Sequence, residues 1–186
     1  SFISRASQKS LSSVVKSHAD EQILCRVGRN GLYDSRAVDV IDFDVSNRLN
    51  VVEEVINESS HKVLVFVPFT HTIELLSKHL AKANITAEVI NGDVSLNKRS
   101  AIFNKFQSTP DPKVLIIQPQ AASHGLTLTA ADTIIWYAPV TSVETYLQAN
   151  ARIDRPGQVN PMTVVHISGS DVETKIYNML RNNIDV

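Results

Sequence analysis

The sequence contains a single cysteine, Cys25, in 186 residues. One thiol excludes an internal disulfide and any zinc site built from several cysteines. The longest apolar stretches are far shorter than the roughly 20 residues that a membrane helix needs, and no charged-then-apolar leader opens the chain. We therefore expect a cytoplasmic protein in a reducing compartment, with no membrane partner.

The sequence also lacks an excess of charge of either sign. Eighteen Lys and Arg against nineteen Asp and Glu leave a formal net charge of -1. This balance excludes nucleic-acid binding through an overall positive charge of the protein, although it allows a local basic groove. Hydrophobic residues make up 43% of the chain, which is enough for an ordinary globular core. The length suits one domain, or one lobe of a larger protein.

Several sequence motifs of catalysis are missing. The six glycines form neither the phosphate loop Gly-x-x-x-x-Gly-Lys-Ser/Thr nor the dinucleotide loop Gly-x-Gly-x-x-Gly. The histidines show no His-x-x-x-His spacing, and no Gly-x-Ser-x-Gly elbow occurs. We therefore expect no metal site, and this chain alone lacks the parts that bind triphosphate and magnesium. A Rossmann-like domain for a phosphorylated metabolite is disfavoured for the same reason.

From residue 62 onward, apolar runs alternate with amphipathic helices. The patterns predict strands at Lys62–Val67, Ala87–Ile90, Val114–Ile117, Thr133–Tyr137 and Met162–Ile167, and helices at Thr72–Ala83, Ser95–Gln107, Val143–Arg152 and Val172–Arg181. This alternation predicts an α/β fold with a parallel sheet and helices on both faces. Ligands then bind at the carboxyl ends of the strands, here Pro68–His71, Asn91–Asp93, Gln118–Gly125 and Ala138–Ser142.

The first 58 residues have a different pattern. Residues 1–20 are Ser-rich, and predict either an amphipathic helix around Leu11–Val15 or a frayed end. Residues 21–45 indicate a hairpin or two short strands, and a helix is expected from Ser46. We divide the chain into an N-terminal extension and joining segment, 1–58, and a lobe, 59–186.

One segment, from Gln148 to Gln158, has two interpretations. Arg152 and Arg155 are three apart near a predicted helix C-terminus, which places them on one face, and Pro156-Gly157 ends the helix. Arginines held in this way can stabilise charge on a transferred phosphoryl group. Cations at a helix C-terminus are also favoured by its dipole alone. The spacing does not decide between the two.

A second segment follows the strand at Val114–Ile117 and ends at Asp132. Its small residues and Gly125 allow close approach of a ligand. Backbone amides and the hydroxyls of Ser123 and Thr127 are suited to phosphate groups. The alternative is a tight strand-to-strand crossover without a ligand.

Together these segments resemble the second RecA-like lobe of superfamily 2 helicases and translocases, in particular the Swi/Snf-like branch. The resemblance runs from about Lys62 to Leu180. Val63–Phe69 is similar to motif IV, Ala121–Asp132 to motif V, and Gln148–Gln158 to motif VI. In this branch motif VI reads Gln-x-x-x-Arg-x-x-Arg-x-Gly-Gln, and every fixed position of it is present here. His124-Gly125-Leu126 and Trp136-Tyr137 are most reminiscent of bacteriophage and bacterial members, which implies a host cytoplasm for a phage-encoded protein.

The resemblance implies an ATP site shared by two RecA-like lobes. The missing N-terminal lobe would supply the phosphate loop and hold Mg²⁺, so this chain alone would have no cofactor and no activity. In this chain, Arg155 would be the arginine finger and Arg152 its partner, while Gln148, Gly125 and Asp132 would contact ATP. We expect the natural protein to continue upstream with that lobe.

The resemblance also implies DNA as a partner, bound through its backbone without sequence specificity. The candidate nucleic-acid contacts are Phe69, Thr70, Arg99, Ser123 and Thr127. The implied function is the C-terminal lobe of an ATP-dependent DNA helicase or translocase. The alternative is a stand-alone nucleic-acid-binding or interaction module on a degenerate lobe, which needs no ATP.

Overall fold

The computed structural model describes residues 2–4, 46–122 and 126–184. Several predictions concern other residues: the helix around Leu11–Val15, the hairpin within 21–45 with Cys25, and the loop residues Ser123, His124 and Gly125 all lie outside the described residues.

The described residues form strands that alternate with helices. The strands are β1 (Phe2–Ser4), β2 (Lys62–Phe66), β3 (Ala87–Ile90), β4 (Val114–Ile117), β5 (Ala131–Trp136) and β6 (Thr163–His166). The helices are α1 (Ser46–Glu58), α2 (Thr70–Lys82), α3 (Leu96–Ser108), α4 (Val143–Asn150) and α5 (Asp171–Arg181), with a 3₁₀ turn at Pro119–Ala122.

The six strands form one sheet in the order β1-β6-β5-β2-β4-β3. All of the pairings are parallel, and Phe66 of β2 lies beside Ile117 of β4 and Trp136 of β5. Every residue of β4 is buried, as its continuous apolar run predicted. The parallel sheet expected from the sequence is confirmed.

Alternate residues of strands β2 to β6 face two separate cores. On one face, Val63, Val65 and Ile116 pack against α1 and α2. On the other face, Leu64 and Leu115 pack against α3, α4 and α5. This division follows from the two-residue period of a strand, and it confirms a sheet covered on both faces.

The structure corrects two expectations. Phe2–Ser4, within the region expected to be helical or frayed, forms a short parallel strand beside β6. Three residues are too few to show a period, so only the pairing partner reveals this strand. Helix α4 ends at Asn150 and not at Arg152, so neither arginine lies on the helix. The Asn150 side chain accepts a hydrogen bond from Trp136 Nε1 at 2.9 Å, which attaches the helix end to β5.

The direction of α4 decides where the following residues lie. It begins after β5 and leads back toward the start of the next parallel strand, β6, so it crosses the sheet face from the carboxyl ends of the strands to their amino ends. We call these two borders the carboxyl edge and the amino edge. The segment that follows α4 is hydrogen-bonded to Ala131, the first residue of β5, and therefore lies at the amino edge.

Candidate functional site

Two candidate nucleic-acid contacts lie at the carboxyl edge, just after β2. Phe69 precedes α2 in extended backbone and its side chain is 59% exposed. The next residue, Thr70, starts α2, and its hydroxyl accepts a hydrogen bond from Gln118 Nε2 at 3.3 Å. Gln118 Oε1 in turn accepts from the Gly92 amide at 3.2 Å. Gln118 thus joins the loops that follow β2 and β3.

Arg99, a third candidate contact, is bonded within its own turn. Its Nε donates to the Val94 carbonyl at 3.1 Å and its Nη2 donates to the Asn91 carbonyl at 3.0 Å. Ser95 caps the same helix and accepts from the Lys98 amide. The guanidinium therefore holds the turn between β3 and α3, at the carboxyl edge.

The described part of motif V reaches the amino edge and meets motif VI there. The Leu128 amide donates to the Arg152 carbonyl at 2.9 Å. Arg152 Nη1 lies 3.5 Å from the Leu126 carbonyl. Thr127, between these two residues, is exposed. The two motifs therefore form one hydrogen-bonded unit, although 26 residues separate Leu126 from Arg152.

Arg152 is held inside this unit. It is 5% exposed, and its Nε donates to the Gln148 carbonyl at 2.7 Å. Burial lowers the pKa of Arg152, and the nearby charge of Arg155 lowers it further. Arg152 and Arg155 each donate Nε to the carbonyl four residues earlier, that of Gln148 and that of Ala151, so both cations belong to the same turn of motif VI.

Arg155 has fewer contacts than Arg152. Its Nε donates to the Ala151 carbonyl at 3.3 Å, and the side chain is partly exposed. Within residues 46–122 and 126–184, neither Arg152 nor Arg155 forms an ion pair with a carboxylate, and Asp154, which lies between them in sequence, is not paired with either. The partly exposed Arg155 guanidinium is therefore available to an external anion, whereas Arg152 adds positive charge from a buried position.

The other candidate ATP contacts differ in their surroundings. Gln148 lies on α4, where its Nε2 donates to Glu144 Oε1 one turn earlier, at 3.0 Å. Asp132 lies in β5, with Oδ2 at 2.7 Å from His61 Nδ1 and Oδ1 accepting from the Thr133 hydroxyl at 3.0 Å. The Asp132 side chain is 13% exposed.

Two glutamines organise the same region: Gln107, which sequence reasoning did not single out, and Gln158, the last fixed position of motif VI, to which it assigned no role. Gln107 Oε1 accepts from the Ala130 amide at 2.8 Å and thereby holds the turn before β5. Gln158 Nε2 donates to the Ala131 carbonyl at 2.8 Å and the Ile153 carbonyl at 3.0 Å. Their partners are backbone groups, which every residue has, so no side-chain pattern indicates these contacts.

The side-chain grouping and the helix lengths of the described residues bear on metal binding and on membrane insertion. Among them, no group of three His, Cys, Asp or Glu side chains could hold a metal ion. None of their helices is long and apolar enough to cross a membrane.

Comparison with known families identifies this arrangement. Residues 47–157 match the model of the helicase conserved C-terminal domain. The chain belongs to this family. The match covers more than half of the chain and ends within motif VI, so it includes the arginine pair and its junction with motif V.

Curated relatives assign this helicase C-terminal domain to the Snf2-like kind. Chromodomain-helicase-DNA-binding protein 1-like of Danio rerio is 30% identical over 139 residues, 73% of this chain and 14% of that protein. Chromatin-remodeling ATPase INO80 of Emericella nidulans is 31% identical over 135 residues, 70% of this chain and 8% of that protein. DNA excision repair protein CSB of Oryza sativa is 28% identical over 137 residues, 72% of this chain and 12% of that protein.

Solved structures share the fold. The C-terminal part of the Fun30 ATPase domain superposes with a TM-score of 0.68 at 23% identity, over 87% of this chain and 54% of that one. The C-terminal domain of the DEAD-box protein Dbp5 superposes with a TM-score of 0.64 at 17% identity, over 74% of this chain and 78% of that one. The part of this chain that matches the curated relatives corresponds to 8% to 15% of their length.

Proposed function

We propose that this chain is the second RecA-like lobe of an ATP-driven DNA translocase or helicase. In this proposal it supplies the arginine finger Arg155, with Arg152 beside it, to an ATP site shared with an N-terminal lobe. The observation that carries the proposal is the pair of arginines held in one turn of the motif V–VI unit by their Nε atoms, and neither arginine is in an ion pair within residues 46–122 and 126–184. Positive groups held before the reaction stabilise charge that develops on a transferred phosphoryl group.

The two arginines would have different tasks. Arg152 is buried and bonded to Gln148 and Leu126, so it would maintain the junction and add charge. Arg155 is partly exposed and would reach the triphosphate. The other proposed ATP contacts are Gln148, Gly125 and Asp132. For Asp132, the carboxylate would have to give up its hydrogen bond with His61 in order to contact ATP.

The ATP-dependent function requires groups that we assign to the other lobe. Triphosphate fits the cationic pair here, whereas Mg²⁺, which neutralises the phosphates when bound, would be held by the N-terminal lobe. We propose that residues 1–58 form the extension and joining segment and that the lobe begins at residue 59. Because α1 packs on the sheet through Val52 and Ile56, the end of that segment would be anchored to the lobe.

DNA is proposed to lie along the carboxyl edge. Phe69, Thr70 and Arg99 lie at that edge, while Thr127 lies on the connection between the edges, and Ser123 is proposed with it. The contacts would be to the backbone, without sequence specificity. A phage or bacterial origin, suggested by Trp136-Tyr137 and His124-Gly125-Leu126, is part of the same proposal.

The test is DNA-stimulated ATP hydrolysis by the longest natural form of the protein. Arg155→Ala should lower turnover on the order of 10³-fold, as loss of an arginine finger does. Arg181→Ala, an exposed arginine in the last turn of α5, is the matched control and should stay active. Full activity of Arg155→Ala would refute the finger.

A second candidate is a nucleic-acid-binding module without ATPase activity. It is favoured by Arg152, which is 5% exposed and bonded to the Gln148 and Leu126 carbonyls, because a structural role accounts for these contacts without ATP. An inactive natural protein that still binds DNA, with affinity falling steeply as salt rises, would support this candidate.

A further inference from the structure

Gln158 closes the turn that carries Arg155. Its Nε2 donates to the Ala131 carbonyl at 2.8 Å and to the Ile153 carbonyl at 3.0 Å. Its Oε1 accepts from the Asn160 amide at 3.3 Å, and its own amide donates to the Arg155 carbonyl at 3.1 Å. The side chain therefore uses both amide protons and its oxygen on backbone groups around Arg155.

The groups that Gln158 binds are themselves fixed. Ala131 is the first residue of β5 and is fully buried, and Ile153 is 1% exposed. Gly157, next to the glutamine, has φ of 101°, a conformation that favours glycine and turns the chain back toward the sheet. The Gln158 side chain thus attaches the segment after Arg155 to the central sheet, at Ala131. It also attaches that segment to the residues before Arg155, at Ile153.

We infer that Gln158 is a positioning residue for Arg155. It would fix the backbone from which Arg155 extends, so that the guanidinium is in place before the reaction. Two carbonyl acceptors require a group with two N–H donors, which an amide has and a carboxylate lacks. This inference rests on the proposed function, since it assigns a task in the same site.

The expected effect follows from how arginine fingers act. A charge stabilises a transition state only where the charge develops, and a misplacement of about 1 Å can cost roughly 10²-fold in rate. Loss of the Gln158 bonds leaves the Arg155 side chain present and charged. We therefore expect a lower kcat with little change in the KM for ATP.

The test uses the longest natural form, with Gln158→Ala, Gln158→Glu and Arg155→Ala. Each Gln158 variant should lower the kcat for DNA-stimulated hydrolysis roughly tenfold to a hundredfold, with DNA affinity unchanged. Gln158→Glu keeps the size of the side chain and removes both donors, so it tests the bonds if the alanine variant fails to fold. Thr86→Val is the control, because the Thr86 hydroxyl also joins two loops, through Asp111 and Lys113, away from this site.

The double variant Gln158→Ala/Arg155→Ala separates positioning from general stability. If Gln158 acts through Arg155, the double variant should be no slower than Arg155→Ala alone. Fully additive losses, or a Gln158→Ala enzyme with normal kcat, would overturn the inference and leave Arg155 as the finger. Normal activity of Arg155→Ala would instead overturn the proposed function, and the inference with it.

Discussion

Arg48 and Glu173 form a buried ion pair that joins the two helical layers around the carboxyl edge of the sheet. Arg48 Nη2 lies 2.6 Å from Glu173 Oε1, and Nη1 lies 3.1 Å from Oε2. Arg48 Nη1 also donates to the Tyr137 carbonyl at 2.7 Å, just after β5. Burial lowers the pKa of Arg48, but the bond and charge of Glu173 outweigh it, so the pKa is raised. The pair thus fixes α1 to the start of α5.

Removing one partner of this pair should destabilise the chain strongly. Glu173→Gln or Arg48→Met leaves a buried charge without its partner, and we expect a loss of about 3–5 kcal/mol in the free energy of unfolding. The measurement is urea unfolding followed by circular dichroism. The double variant Arg48→Met/Glu173→Met should recover most of the loss, because two apolar side chains leave no buried charge.

The control for this prediction is Glu53→Gln. Glu53 pairs with His79 at 3.1 Å, and the two side chains are 30% and 23% exposed. Partly exposed pairs contribute about 1 kcal/mol or less. Equal losses in Glu53→Gln and Glu173→Gln would contradict the importance assigned to burial.

His166 should make the chain sensitive to mild acid. It is fully buried, 2.8 Å from the Tyr146 hydroxyl and stacked on Tyr177. Burial lowers the pKa of His166 from 6.5 to about 4, with a smaller contribution from Arg181. Between pH 6.5 and 4 the unfolded chain binds the proton and the folded chain does not, so stability falls as pH falls. The pKa shift corresponds to about 3 kcal/mol in the free energy of unfolding. This stability is fully present above about pH 6.5 and is lost as the pH falls toward 4.

The measurement is the free energy of unfolding between pH 4 and 7.5. His166→Gln should flatten the acid side of this profile relative to the unchanged chain. His71→Gln, which alters an exposed histidine, is the matched control and should keep the slope. An unchanged slope in His166→Gln would show that other groups cause the acid sensitivity.

Phe69 should contribute to nucleic-acid binding and not to stability. Phe69 is 59% exposed at the carboxyl edge, where a base or sugar can contact its ring. Stacking of a base on an aromatic ring contributes roughly 1–3 kcal/mol, so Phe69→Ala should weaken binding about tenfold. Its free energy of unfolding should change by about 0.5 kcal/mol or less. Fluorescence anisotropy with labelled single-stranded DNA measures the affinity.

Val159→Ala is the control for the Phe69 prediction. Val159 is 87% exposed and lies next to Gln158, whose side chain bonds to Ala131 at the amino edge. It should bind DNA normally. Weaker binding in both variants would indicate a general loss of exposed apolar surface, and normal binding by Phe69→Ala would remove Phe69 from the interface.

Much of the fold was predictable because its signals are local. The run Val114–Ile117 is apolar throughout and forms a strand with those bounds. Ser95 was the expected start of α3 and caps it. The end of α4 was predicted two residues too late, because the contact that attaches Asn150 to Trp136 joins residues from different elements. The three-residue strand β1 gives no periodic signal and depends on its pairing with β6.

The sequence by itself determined most of the elements, the parallel direction of the strands and the presence of two arginines within a recognisable motif, since these follow from residue type and spacing. Only the tertiary structure decided that motif VI meets motif V at the amino edge, that Arg152 is buried while Arg155 is partly exposed, and that Gln158 closes the turn. Those relationships depend on hydrogen bonds to backbone carbonyls such as those of Leu126 and Ala131. Every residue carries such a carbonyl, so the folded chain alone selects the partners.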